Sequence, residues 1–121
     1  MLKDIYQRYG KTLFIAETGA EGGARAAWLH YVCDEVRLAL AADVPVASVC
    51  LYPVTDYPGW EDNRHCEVGL VGMPDSHGHR PVHTTLAAEL ARQQVLMNPW
   101  TAVNASTYAD VQPALPRSST R

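Results

Sequence analysis

The sequence lacks the features that mark several large classes of protein. It has only three cysteines in 121 residues, with no Cys-x-x-Cys spacing, which favours free thiols in a reducing compartment over a disulfide framework. No run of about 18 apolar residues occurs, so we expect no membrane-spanning helix. The first residues lack the apolar core of a signal peptide, and a cytoplasmic location is therefore the default expectation.

Signals for nucleic acids, nucleotides and metals are also missing. The formal net charge is -3 and there is no basic stripe, so we expect no nucleic-acid partner. The glycine-rich stretch Gly19–Gly23 lacks both the lysine of a P-loop and the GxGxxG spacing, which argues against a bound nucleotide. His77 and His79 lie in a turn-rich segment and Cys66 has no partner at zinc-site spacing, so we expect a solvated turn and no metal or other cofactor.

What the sequence does contain is an alternation of helix and strand patterns. Leu2–Tyr9 has helical spacing and is followed by Gly10, a typical helix stop. Leu13–Gly19 is a continuous apolar run that ends in Glu17 and glycines, which predicts a strand buried on both faces, as in parallel sheets. A helix from about Ala24 to Ala42 and a second buried strand from about Ala47 to Tyr52 complete a predicted βαβ unit with parallel strands.

The long helix has a predicted buried face and a predicted polar face. The apolar residues recur at helical spacing, whereas the charged residues fall on the other side. We therefore expect burial of Trp28, Leu29, Val32, Cys33, Val36 and Leu40, and a solvent face formed by Arg25, Asp34, Glu35 and Arg37.

The second half of the chain has weaker signals. Prolines and glycines predict an ordered loop from about Pro53 to Glu67, and Gly69–Met73 is typical of a short edge strand or hairpin. A second helix is predicted from about Thr84 to Met97, and residues 98–121 are predicted to form a mostly irregular or disordered tail. Two parallel strands and two long helices cannot close a sheet, so we expect a truncated larger fold or copies that associate into an oligomer.

Acidic and aromatic side chains gather in the two loops that leave the predicted strands. Acid groups accept hydrogen bonds from sugar hydroxyls, and aromatic rings stack on pyranose faces. The first loop carries Glu17 and Glu21, and the second carries the remaining candidate residues for a sugar site: Tyr52, Asp56, Tyr57, Trp60, Glu61 and Asp62. From the residues alone, Glu17 can equally be a solvated loop glutamate, Asp56 a turn residue and Trp60 a surface hydrophobe.

The same stretches resemble retaining glycoside hydrolases of the β-glucosidase kind. Phe14–Gly19 is similar to the seventh barrel strand of that family, whose nucleophilic glutamate closes the strand in a Thr-Glu-Asn-Gly-type motif. Leu51–Asp56 resembles the eighth strand and its outgoing loop, and Val68–Val71 follows the family's Phe-Gly-Leu stretch. The resemblance covers about residues 2–97 in order and spacing.

Three positions depart from the family's pattern. Tyr52 stands where tryptophan is usual, and Thr18 stands where asparagine is common. The sugar-gripping Glu-Trp pair appears in reversed order, because Trp60 precedes Glu61. These departures leave the sugar preference undetermined.

The resemblance implies an α/β fold, namely a βαβα fragment that forms the seventh and eighth units of a TIM (β/α)8 barrel, with residues 1–97 as the carboxyl-terminal portion. It implies a carbohydrate substrate, Glu17 as the catalytic nucleophile, and no cofactor. Tyr52, Asp56, Trp60 and Glu61 would bind substrate.

The resemblance also implies an incomplete mechanism. The acid/base glutamate of such enzymes lies on the fourth strand, so we expect little or no turnover from these 121 residues alone. Glu21 is a poor substitute, because the start of a helix favours its ionised form. Two other interpretations remain: a non-catalytic carbohydrate-binding or self-assembling α/β module, and an inert remnant.

Overall fold

The computed structural model describes residues 1–97 and contains three main helices and two short sheets. The predicted tail lies outside the described residues. No helix within residues 1–97 has the length and apolar character needed to cross a bilayer. The elements in chain order are α1 (Leu2–Tyr9), β1 (Leu13–Thr18), α2 (Arg25–Ala41), β2 (Val46–Leu51), β3 (Tyr57–Pro58), β4 (His65–Cys66) and α3 (Thr84–Met97), with a 3-10 turn at Gly22–Ala24 before α2.

The helix α1 ends where the sequence predicts. Gly10 has φ 58° and ψ 25°, in the left-handed region, and its N–H donates to the carbonyl oxygen of Tyr6 at 2.8 Å. Glycine adopts this conformation without the steric penalty that a Cβ brings, so it terminates the helix while still satisfying a carbonyl of the last turn.

The predicted parallel βαβ unit is confirmed. β1 and β2 pair in parallel with Leu13 opposite Val46 and Thr18 opposite Leu51, and α2 forms the crossover between them. Because the strands run in the same direction, their carboxyl ends lie at one edge of the sheet. The loops that carry the candidate site residues therefore leave from neighbouring positions.

The prediction that both strands are buried is wrong for the described residues. Neither β1 nor β2 contains a buried residue, and the side chain of Phe14 is 66% exposed. Within residues 1–97 each of these strands has a single neighbouring strand, so much of the sheet surface has no cover. The core lies between α2 and α3, where Leu29, Cys33 and Leu86 are buried together.

The predicted faces of α2 also need correction. Trp28 and Leu40, expected in the core, are 41% and 43% exposed, whereas Arg25, expected in solvent, is only 8% exposed. The helical spacing identifies the buried residues Leu29 and Val32 correctly. The helical spacing fails to predict burial for residues at the edges of the buried face of α2, because the neighbouring loops and α3 determine which of those residues are covered.

The segment after β2 is held by short pairings. β3 and β4 form an antiparallel pair with Tyr57 opposite Cys66, inside the stretch that the sequence predicts as an ordered loop. Gly69–Met73 was predicted as a short edge strand or hairpin. It contains single bridges from Val71 to Thr55 and to Val82 rather than a strand. The bridge to Val82 is antiparallel, and hydrogen bonds from the N–H of Gly72 to Pro81 and from the N–H of His83 to Leu70 flank it, which is the pairing of a short hairpin.

A polar cluster lies at the contact between α2 and α3. The Nδ1 atom of His30 lies 2.9 Å from Oε1 of Glu89, and its Nε2 lies 3.2 Å from Oδ2 of Asp34. The buried amide of Gln93 accepts a hydrogen bond from Arg37 and donates one to Glu89. The bond from Gln93 is the main cause that lowers the pKa of Glu89.

Candidate functional site

The carboxyl ends of β1 and β2 lie side by side, as the sequence predicts. The N–H of Tyr52 donates to the carbonyl oxygen of Thr18 at 2.9 Å, which continues the strand pairing into the loops. Gly19 lies so close to Tyr52 that an added Cβ would overlap the Tyr52 carbonyl oxygen. This glycine therefore permits a close approach of the two loops that no other residue would allow.

A cleft of about 390 Å³ opens at this edge of the sheet. Its volume falls in the range of small-molecule sites. Its acidic and aromatic lining residues are Glu17, Glu21, Trp28, Tyr52 and Tyr57. The structure thus brings together Glu17 and Tyr52, which were assigned roles in the sequence analysis, with Glu21 and Tyr57 from the same two candidate loops.

Trp28 was not among the predicted site residues, whereas Tyr57 was named in the candidate loop without an assigned role. The helical spacing of Trp28 predicts a core position on α2. One feature of the sequence could have identified Trp28 as a site residue. It lies near the start of α2, which follows the glycine-rich loop after Glu17.

The two carboxylates of the cleft have different surroundings. Glu17 is exposed near the end of β1, whereas Glu21 forms an ion pair with Arg64. The hydrogen bond between these side chains is the main cause that raises the pKa of the Arg64 guanidinium. Glu21 therefore accepts a hydrogen bond from a charged guanidinium, and it connects the loop after β1 to the segment that leads into β4.

Asp56 is buried rather than presented to the cleft. Only 7% of its surface is exposed, and its Oδ1 accepts the N–H of Gly69 at 2.6 Å. Nη1 of Arg25 lies 3.8 Å from the same oxygen, and Nε2 of His65 lies 3.6 Å from Oδ2. Asp56 is absent from the lining of the cleft, and its contacts hold neighbouring loops together.

Arg25 completes this buried arrangement. Its Nε donates to the carbonyl oxygen of Gly22 at 2.8 Å, and its Nη1 donates to that of Gly69 at 2.8 Å. Nη2 lies 4.0 Å from the exposed carboxylate of Glu67. One guanidinium thus links the loop after β1 to the segment after β4, which a solvent-facing arginine would not do.

Trp60 and Glu61 lie in the turn between β3 and β4. Trp60 is 93% exposed, Glu61 is exposed, and neither lines the cleft that contains Glu17 and Tyr52. The structure does not bring these two residues together with the rest of the predicted site. Their role in substrate binding stays a prediction.

The histidine-rich segment forms a turn. Oδ1 of Asp75 accepts the N–H groups of His77 and His79 at 2.8 and 2.9 Å. Within the part of the chain that the structure describes, no group of three or more histidine, cysteine, aspartate or glutamate side chains could hold a metal ion. These contacts fit the expected solvated turn.

The fold is similar to that of several solved glycosidase structures. The β-glycosidase of Thermosphaera aggregans matches 77% of this chain with a TM-score of 0.66 and 24% identity. The β-glucosidase of Thermotoga maritima, in a structure with castanospermine, matches 79% with a TM-score of 0.63 and 18% identity. The described residues have the fold of part of a β-glycosidase barrel.

The match covers only a fraction of those enzymes. This chain spans 20% of the Thermosphaera aggregans β-glycosidase and 24% of the Thermotoga maritima β-glucosidase. In a β-glycosidase fold the matched elements thus form a minor part of the whole, which fits the open faces of β1 and β2. No family model matches the chain, and the comparison with curated proteins gives no match.

Proposed function

We propose that this chain is the part of a retaining, β-glucosidase-like glycoside hydrolase that carries the nucleophile, Glu17. One observation supports this most strongly: a glutamate lies near the end of a parallel strand, at the wall of an aromatic cleft, in a chain with a partial β-glycosidase fold. In this proposal β1 and β2 are the seventh and eighth strands of the barrel, and residues 1–97 are its carboxyl-terminal portion.

The chemistry requires an attacking carboxylate and a proton donor. The Glu17 carboxylate would attack the anomeric carbon as the bond to the leaving oxygen breaks, and water would later hydrolyse the glycosyl ester. In retaining enzymes a second carboxyl about 5–5.5 Å away protonates the leaving oxygen. Glu21 is occupied as an ion-pair acceptor for Arg64, so we expect weak or no hydrolysis by this chain alone.

The neighbouring residues would bind and position the sugar. Tyr52 and Tyr57 line the cleft, where a ring can stack on a pyranose and a phenol can hydrogen-bond to a sugar hydroxyl. We assign Asp56 a positioning role, because its oxygens are engaged with Gly69 and Arg25. Contacts from Trp60 and Glu61 remain part of the proposal for ligands that extend to the β3–β4 turn.

The proposal is tested by covalent labelling of the full chain. A 2-deoxy-2-fluoro-β-glucoside with a dinitrophenolate leaving group needs no acid to expel its leaving group. Intact mass and peptide mapping should show one adduct on Glu17. Glu17→Gln should show none, whereas the matched control Glu21→Gln should still be labelled. Unmodified wild-type protein with a folded circular dichroism spectrum would overturn the hydrolase proposal.

A second candidate is a non-catalytic carbohydrate-binding module. It is favoured by one observation, the ion pair between Glu21 and Arg64, which leaves the cleft without an evident proton donor among the described residues. Such a module would bind methyl β-D-glucopyranoside without forming an adduct in the labelling experiment. Titration of the full chain with methyl β-D-glucopyranoside measures binding, and mass spectrometry after labelling detects the adduct on Glu17. Binding without an adduct would identify the second candidate.

A further inference from the structure

Trp28 lies at the border of the buried face of α2, beside the cleft. The next residue, Leu29, is 2% exposed in the core, whereas Trp28 is 41% exposed and lines the cleft with Glu17. Exposing an indole to water forgoes the free energy that its burial would provide. The exposed ring is therefore available for a ligand in the cleft.

Two contacts fix the orientation of this ring. The indole N–H, the only polar group of the side chain, donates to Oγ1 of Thr18 at 2.8 Å. The ring also packs against Tyr31, with centroids 5.8 Å apart and planes tilted by 39°. Because its donor is already used, Trp28 can offer a ligand its apolar face and not a hydrogen bond.

We propose that Trp28 is a ligand-binding residue of the Glu17 cleft, which stacks on the apolar C–H face of a pyranose ring. Thr18 is the positioning residue that sets the angle of the indole. A ring that is oriented before binding loses little conformational freedom when the sugar arrives, which favours affinity. The inference rests on the proposed function because it takes the ligand to be a β-glycoside.

The position of Thr18 gives this arrangement a link to the chemistry. Thr18 follows Glu17 directly on β1, and its carbonyl oxygen accepts the N–H of Tyr52. A single residue thus connects the stacking ring of α2, the proposed nucleophile and the loop of Tyr52. Movement of the ring would therefore be coupled to the residue beside the reacting carboxylate.

The indole N–H resonances of ¹⁵N-labelled full chain provide the test. Replacement of single tryptophans assigns the resonances of Trp28 and Trp60. On titration with methyl β-D-glucopyranoside, the Trp28 resonance should shift saturably and that of Trp60 should not. Trp28→Leu should weaken binding by about tenfold, the size of a lost aromatic contact, and Trp28→Phe by about threefold. The matched control Tyr9→Leu, at an exposed tyrosine of α1 that does not line the cleft, should bind as the wild type does.

A separate measurement tests the positioning role of Thr18. Thr18→Val keeps the shape of the side chain but removes the acceptor. It should move the Trp28 indole resonance upfield in the free protein and weaken binding by about threefold. The Thr18→Val/Trp28→Phe double variant should bind no more weakly than Trp28→Phe, because both changes remove the same hydrogen bond.

The outcomes separate this inference from the hydrolase proposal. An adduct on Glu17 together with unchanged affinity in a folded Trp28→Leu variant would overturn the inference alone. Loss of affinity in that variant without any adduct would overturn the hydrolase proposal alone. Saturable binding that leaves the Trp28 resonance unmoved, or no binding by the wild-type chain, would also overturn the inference.

Discussion

Replacement of Asp56 by alanine should strongly destabilise the loops beside the cleft. The change removes the acceptor of the Gly69 N–H, which lies 2.6 Å from Oδ1. It also removes the buried carboxylate nearest to the guanidinium of Arg25, whose side chain is 8% exposed. A buried donor and a buried cation would both lose a partner.

The expected magnitude follows from these two losses. An unsatisfied buried donor costs about 1–3 kcal/mol, and breaking a buried ion pair costs about 3–5 kcal/mol. The lower part of that range applies, because Arg25 keeps its hydrogen bonds to the carbonyls of Gly22 and Gly69. We expect Asp56→Ala to lower the free energy of unfolding by about 4 kcal/mol, the sum of the lower ends of the two ranges, which is a large share of the stability of a small domain.

A graded set of variants makes the measurement decisive. Asp56→Asn keeps an acceptor for Gly69 and loses only the charge, so it should cost about 1–2 kcal/mol. Glu67→Gln changes a carboxylate that is 62% exposed and 4.0 Å from Arg25, so it should cost less than about 0.5 kcal/mol. The free energies come from urea unfolding of the full chain followed by circular dichroism. If Asp56→Ala costs no more than Glu67→Gln, the buried network does not hold the loops.

Three further predictions concern the backbone, the thiols and the pH dependence. Gly19→Ala should destabilise the chain and abolish labelling of Glu17, because the new Cβ would overlap a main-chain carbonyl of the loop after β2; an unchanged urea midpoint and full labelling would contradict this. Burial raises the pKa of the Cys33 thiol, so a smaller fraction of Cys33 is the reactive thiolate. The exposed Cys50 should therefore react with iodoacetamide before Cys33 does, and peptide mapping measures the order. The hydrogen bond from Gln93 lowers the pKa of Glu89 in the folded state. The stability from Glu89 is therefore present above its unfolded pKa and should be lost as the pH falls through the lower folded value. Unfolding measured across the acidic range should show a smaller pH dependence for Glu89→Gln, and equal curves would refute the assignment.

Local signals were sufficient to predict most of the secondary structure. The helix stop at Gly10, the apolar run of Leu13–Thr18 and the periodicity of α2 each depend on residues that are close in sequence. The parallel pairing also followed, because a strand, a long crossover and a second strand leave few alternatives. The fold likeness to part of a β-glycosidase barrel confirms the resemblance at the level of the fold.

Burial could not be predicted in the same way, because it depends on neighbours from other parts of the chain. Phe14 has the sequence environment of a buried strand residue and is 66% exposed. Arg25 looks like a surface residue of an amphipathic helix. It is buried because carbonyls of Gly22 and Gly69, which come from different segments, converge on its guanidinium.

The candidate site was predicted in part for the same reason. Glu17 and Tyr52 end neighbouring strands, and the strand order alone places them at one edge. Asp56 and Trp60 lie in a loop whose prolines and glycines indicate a turn but not the direction of each side chain. Only the β3–β4 pairing and the contacts of Asp56 determine that one residue is buried and the other exposed.

The two carboxylates of the cleft show why chemistry and position must be argued together. Glu17 and Glu21 both line the cleft, so composition alone would make either an acid, a base or a nucleophile. Glu21 accepts a hydrogen bond from Arg64, whereas Glu17 remains exposed in the cleft. Different surroundings can give two carboxylates of one site different roles. In the reaction that we propose, the attacking group is therefore Glu17, and we expect its proton donor to be a group other than Glu21.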